Sequence, residues 1–284
     1  MAVTYDTGEP LIGGEWSRAA DPAGSGLGLS SGCTVTKETT IVHRGSASCR
    51  FFLAPSGGSH RAEWGSFGPF KKYVWEYFGV AYYLPVGFDW NSTGPWGVVV
   101  SQVIQNDQYA APCSLNLGGP GDAINAGVDR RALRMTNQSG IVPGYDTPPT
   151  QYSTYTTVIP VPMLTGVWYE VIMGVWITDL DNGTGKQLSW WRTKGQTAWN
   201  TGGGIVGYPT LEYFTEGNAN SRINYPSTPP NYSHKWGAYR GGSSLSLTMY
   251  HDTCCRGSTF EVVDAMLTNG GPSYQMSINN LPAG

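Results

Sequence analysis

The chain has 284 residues, of which 40% are hydrophobic and 13% charged, with 39 Gly, 19 Pro, 11 Trp and 17 Tyr. Charged residues at about half their usual share, beside so much Gly and Pro, exclude a helical bundle or coiled coil, and the aromatic content excludes intrinsic disorder. Lys plus Arg at 17 against Asp plus Glu at 20 gives a net charge of −3 with no basic block, so nucleic acid is not an expected partner, and no apolar run is long enough for membrane insertion.

The opening stretch MAVTYDTGEPLIGGEW has neither a basic region nor an apolar one, so no signal peptide is visible. Strands are then predicted at 34–42, directly after Cys33, and at 47–53, which contains Cys49. A Cys33–Cys49 disulfide is one option. With five cysteines, no C-x-x-C pair and no ligand-spaced histidines, free buried thiols without structural zinc are the expectation. Further strands are predicted at 74–84 and 96–104, followed by a structure-poor excursion over 118–162. Next come strands at 168–177 and 186–193, joined by LDNGTG, whose Asn-Gly pair suits a hairpin turn. Asp179, Asp181 and Asn182 lack the spacing of a calcium loop, so a structural calcium has no support and no cofactor is expected. A second excursion at 202–230, with room for a turn or two of helix at 207–216, precedes strands at 235–239, 245–250 and 259–267. Short alternating segments punctuated by turn residues predict an all-β sandwich of two antiparallel sheets, a single domain over 1–284 with its core at about 33–267 and irregular terminal extensions.

Period-two geometry sorts the polar residues of three strands. In SHRAEW, Arg61 and Glu63 share one face, with His60, Ala62 and Trp64 on the other. In VVVSQVIQ, Gln102 shares its face with Val100 and Ile104. In HKWGAYR, Lys235, Gly237 and Tyr239 lie together, with Trp236 and Ala238 behind them. Strands sharing one sheet would bring Arg61, Glu63, Gln102, Lys235 and Tyr239 onto one polar surface.

These segments, with WEYFGVAYYLPVGF at 75–88, GVWYEVIMGVWITD at 166–179 and YHDTCCRGSTFEVV after KWGAYRG, resemble in order the pattern of heparin-lyase-like polysaccharide lyases. That resemblance spans roughly 33–267 and implies the concanavalin A-like jelly roll shared with alginate and glucuronan lyases. In that family an Arg of an R-x-E strand, the Gln and His of a Q-x-H strand and the Tyr of a G-x-Y strand line a concave groove. β-Elimination removes the proton beside a uronate carboxylate, so the carboxylate must be neutralised and the developing anion stabilised. The resemblance thus implies Arg61 as neutraliser, Glu63 as its orienting partner, Gln102 as second donor and Tyr239 as the proton-transferring residue. The His position holds Ile104, which can neither move a proton nor bind a carboxylate.

A glycosidase would need closely spaced carboxylates on one strand face, and no E-x-D-x-x-E run exists. Nucleophile elbows and phosphate loops are also missing, and His251-Asp252 reads as a strand-end polar pair. Aromatic residues supply a binding argument, since sugar rings stack on flat aromatic faces. Period two places Tyr169, Val171, Met173 and Val175 on one apolar face, which with Trp236 is expected between the sheets. It leaves Trp168 and Trp176 on the opposite face, with Tyr77 and Tyr83 as further candidates for glycan contact beside Lys235.

The expected function is polysaccharide or cell-surface glycan binding through a lyase-like groove lacking its His. The alternatives are an active lyase on a uronate-containing glycan and a purely structural virion protein. The Gly-rich, low-lysine texture is similar to minor tail proteins of tailed phages that infect actinobacteria, some of which carry this jelly roll. An extracellular or virion location follows from that likeness, with other virion subunits as further partners.

Overall fold

The computed structural model describes residues 27–67, 73–105, 113–118, 130–139, 152–160, 162–176, 186–206 and 232–269, and for a few of these, Ile104 included, the backbone alone. One antiparallel sheet contains β1 (Leu27–Leu29), β4 (His60–Phe67), β6 (Val98–Gln105), β7 (Cys113–Leu117), β8 (Leu133–Ser139), β9 (Tyr152–Ile159) and β13 (Tyr232–Arg240), in the order β1-β4-β13-β6-β7-β8-β9. The other contains β2 (Thr34–Glu38), β3 (Ser48–Leu53), β5 (Trp75–Tyr83), β10 (Trp168–Trp176), β11 (Lys186–Thr193), β12 (Asn200–Val206) and β14 (Leu247–Gly257), in the order β12-β11-β10-β5-β14-β3-β2. The result is a jelly-roll β-sandwich with, among the described residues, one α-helix, α1 (Phe260–Asn269).

Alternation decides what each strand buries. Tyr169, Val171, Met173 and Val175 of β10 and Phe78, Val80 and Tyr82 of β5 face Ala62, Val103, Leu115, Met135, Trp236 and Ala238 of the opposing sheet in one core, as the period-two reading expects. Trp236 is 1% exposed, with its ring 5.5 Å from Phe51 and 5.8 Å from His251. All five cysteines are buried and none is in a disulfide, so the Cys33–Cys49 bridge does not form.

Four expectations are corrected. Residues 259–267 were expected as a strand, yet Phe260–Asn269 is helical. Val263 and Leu267, four apart, bury one helical face against Ile172 and Cys255 on the outer side of the second sheet, an apolar pair that alternation alone does not separate from a strand. The supposed excursion at 118–162 contains β8 and β9. A register shift between Val99 and Ser101 breaks the parity of β6, so Val100 joins the core instead of sharing the face of Gln102. His251 and Asp252 lie inside β14, not at its end, and their side chains go to opposite sides: His251 into the aromatic core, Asp252 to the backbone N–H groups of His43 and Arg44. The 207–216 helical turn and the 180–185 hairpin fall outside the described residues.

Candidate functional site

Strands β4, β13 and β6 are consecutive neighbours, and their register sets the site. Arg61 pairs with Tyr239, Glu63 with Gly237, and Lys235 with Gln102. All five candidate side chains therefore stand on the face of the first sheet turned away from the core, since Ala62, Trp236 and Ala238 occupy the other. Gln102 Nε2 donates to Glu63 Oε1 at 2.6 Å, and the Arg61 guanidinium lies over the Tyr239 ring, 5.6 Å from its centroid. Glu63, Gln102 and Lys235 are buried, Tyr239 half-buried and Arg61 exposed, so cation and phenol are presented to solvent above a recessed polar floor.

That floor extends further than the sequence reading foresaw. Gln102 pairs with Ser114 and Ser114 with Thr136; Val99 pairs with Asn116 and Asn116 with Arg134. Asn116 Nδ2 donates to Ser114 Oγ at 3.0 Å and to Thr136 Oγ1 at 2.9 Å, and the Ser114 and Thr136 hydroxyls are themselves hydrogen-bonded. Ser114, Asn116, Thr136 and Arg134 are all buried although they face away from the core. Their signal is the alternation of CSLNL and LRMT, in which Leu115, Leu117, Leu133 and Met135 mark the core side.

Gly237 makes the centre of this face possible. Its φ is +143°, and a Cβ there would lie 2.3 Å from the Ala62 carbonyl oxygen, so only glycine lets β13 press against β4 beside Glu63. Ile104, at the lyase His position, pairs with Ser233 two residues along β6 from Gln102.

The aromatic candidates are elsewhere. Trp168, Trp176, Tyr77 and Tyr83 stand on the outer face of the second sheet, across the sandwich from Arg61 and Tyr239, because β5 and β10 are central strands there. Trp168 is buried against Tyr83 (5.3 Å between ring centroids) and His43 (5.4 Å). Trp176 packs on Trp75, and Tyr77 on Trp75 and Trp190, each half-buried. Alternation assigned these residues to the right face of their strands but could not say to which sheet the strands belong.

The strongest electrostatic network also belongs to that outer face. Glu170 receives His43 Nε2 at 2.8 Å and the Arg192 guanidinium, which reaches Asp264 of α1 at 2.9 Å. Burial alone would raise the Glu170 carboxyl, but hydrogen bonds and charge from His43 and Arg192 hold it below its ordinary value, while burial lowers His43. Burial pushes Asp252 up to about 6 against the hydrogen bonds of Arg44, His43 and Thr253. These groups tie the 41–44 segment and α1 to the sheet and leave no oxygen cluster for a cation; among the described residues no group of His, Cys, Asp and Glu is arranged to hold a metal.

No protein-family model matches the chain, and a search of curated proteins finds no match. Among solved structures it aligns with endo-β-1,4-glucuronan lyase from the fungus Trichoderma reesei at 14% identity and a TM-score of 0.58, over 88% of this chain and 93% of that one. The likeness is one of fold: both chains are jelly-roll β-sandwiches. Alginate lyase vAL-1 from Chlorella virus (12% identity, 90% and 99% covered, TM-score 0.49) and a marine alginate lyase from Aplysia kurodai (11%, 78% and 86%, 0.46) also align. The polar lane on the first sheet is thus set in a lyase-like sandwich.

Proposed function

We propose that this chain binds a uronate-containing polysaccharide along the outward face of its first sheet. The observation that carries the reading is the convergence of Arg61, Glu63, Gln102, Lys235 and Tyr239 from three neighbouring strands onto one face, with Gln102 hydrogen-bonded to Glu63. A chain with net charge −3 attracts a polyanion only where cations are gathered, and Arg61, Lys235 and Arg134 share this face. Arg61 to Arg134 spans four strand intervals, about 19 Å, enough for a short oligosaccharide laid across the strands.

In this arrangement Arg61 offers its planar fork to a uronate carboxylate, while Lys235 sets the local positive potential. Glu63 holds the Gln102 amide in place, leaving its second N–H to donate to sugar or carboxylate oxygen. In this reading the Tyr239 hydroxyl gives a proton to a departing glycosidic oxygen. For complete elimination a base must also take the proton beside the carboxylate, and Ile104 supplies none. Binding without efficient cleavage is therefore the first reading. Active elimination is the second, favoured by Tyr239 and Lys235 on one face of β13.

We place the protein outside the cell, at a virion surface that recognises host glycan; its low charge and abundant Gly and aromatics support that setting. Recovery of its peptides from purified particles, and not from washed cells, checks this. The central test pairs calorimetric binding with ultraviolet absorbance of unsaturated uronate on alginate, glucuronan and hyaluronan. Wild type is expected to bind at least one polymer with little absorbance, Arg61→Ala to weaken binding at least tenfold, and Ile104→His to increase cleavage. Cleavage by wild type at ordinary enzyme rates would establish the lyase reading, and absence of binding to every polyuronate would refute both.

A further inference from the structure

Trp96 is exposed, at 37%, and it stands at the end of the polar lane. Its indole meets the Tyr239 ring edge-on, with centroids 5.4 Å apart and planes at 72°, while the Arg61 guanidinium covers the same ring from 5.6 Å. The indole thus forms a wall nearly perpendicular to the phenol, with the cation close by.

This wall is rigidly built. Trp96 occupies the tip of Gly-Pro-Trp-Gly at 94–97, where Gly94 and Gly97 have φ of +79° and +83°. A Cβ on Gly241 would lie 2.4 Å from Trp96 Nε1 and 2.6 Å from Cε2, so the glycine there makes room for the indole against the main chain. The adjacent Arg240 is fully buried and donates to the carbonyl oxygens of Ser92, Ala54 and Leu245, fastening together the three segments around the tryptophan. A further tie is the bridge between Ser56 and Ser243. The indole is thus packed along its Nε1–Cε2 edge and still 37% exposed, and the lane leading to it is lined with sugar-compatible donors and acceptors.

We propose that Trp96 is the stacking wall of a sugar subsite that selects a pyranose with equatorial substituents, so that a β-linked glucuronate unit is favoured over an axially linked guluronate. The inference rests on the polyuronate-binding reading above. The chemistry is steric and polar: an all-equatorial pyranose presents axial C–H groups on a flat face to the indole, whereas axial hydroxyls and linkages hold the ring away from it. Arg61 then meets the carboxylate of the sugar stacked on Trp96, and discrimination arises from the wall and not from the charge.

Calorimetric titration of the full chain with β-linked oligoglucuronate and with oligoguluronate of equal length tests this. Wild type should prefer the glucuronate oligomer. Trp96→Ala should weaken glucuronate binding roughly tenfold, leave guluronate binding little changed and so collapse the preference. Trp96→Phe should retain part of the preference, and Gly241→Ala, which keeps the tryptophan but displaces it, should lose much of it. Arg61→Ala should weaken both ligands and preserve their ratio. If wild type binds and Arg61→Ala weakens it, but Trp96→Ala leaves the ratio unchanged or weakens both ligands equally, the stacking wall is refuted while the binding reading stands. Binding of neither ligand by wild type overturns the stacking wall, and the binding reading falls with it when alginate and hyaluronan also fail to bind.

Discussion

His234 and His251 sit in the sandwich core and are kept uncharged there. His234 Nε2 lies 2.7 Å from the Ser101 hydroxyl, and His251 is enclosed by Phe51, Tyr82 and Trp236. Burial lowers both imidazoles from 6.5 to about 3, with the charge of Arg256 adding to the effect at His234. The unfolded chain takes up these protons near the ordinary value while the folded chain refuses them, so stability falls as pH drops below about 6.5, by about 1.4 kcal/mol per unit for each group. Asp252 acts in the opposite direction: raised to about 6, it is protonated more readily in the folded state and stabilises between about pH 6 and its ordinary 3.8. Two histidines outweigh one carboxyl, and His43, also lowered by burial, adds to their side. Melting temperature should therefore fall steadily from pH 7 to pH 4 at constant ionic strength. A flat or rising profile would show that the core histidines accept protons in the folded state.

Among the elements, α1 is where sequence periodicity and structure part most clearly. Gly79 lies beneath it, and a Cβ there would come within 2.5 Å of Val263 Cγ1 and 2.8 Å of Cys255 Sγ, so helix and sheet approach only because this position has no side chain. Gly79→Ala should destabilise the protein by about 1–3 kcal/mol through overpacking, read as a lower denaturant midpoint with an unchanged slope. An unaltered midpoint would mean that α1 is not docked as described. The strands with long regular alternation, β5, β10 and β13, were legible because each exposes one face to a thick apolar core. Strands β7 and β8 were not, since five to seven residues set among Gly and Pro give too short an alternation to stand out. The parity of Val100 was beyond reach for another reason: a register shift depends on the partner strand, and a single strand's sequence does not contain it. The five polar candidates of the first sheet were readable because R-x-E and G-x-Y follow the alternation of β4 and β13, and Gln102 lies past the register shift of β6, beside Val103 on the core side. Trp96 was not, because its place depends on a loop held down by Gly241 and Arg240.

At the scale of the whole molecule, the two sheets divide the work between them. The first turns a buried polar lane and an exposed cation outward. The second turns outward an aromatic and ionic layer that is largely used up in packing: Trp168 against His43 and Tyr83, Ile172 and Cys255 against α1, and Glu170 against Arg192. A sugar-binding tryptophan must offer a free ring face, and Trp168 at 7% exposure has almost none to give. Truncating it removes a large buried aromatic and leaves a void beside Ala81 and Tyr250, a loss of about 3–5 kcal/mol by comparison with other core aromatics. Trp168→Ala should accordingly lower the melting temperature sharply yet leave oligosaccharide affinity, measured well below the new melting point, within about twofold of wild type. Trp176→Ala, half-buried at the other end of the same face, should cost less stability and likewise spare binding. Loss of affinity in either variant, with the melting temperature retained, would place a glycan site on the second sheet and make the protein two-sided in its recognition.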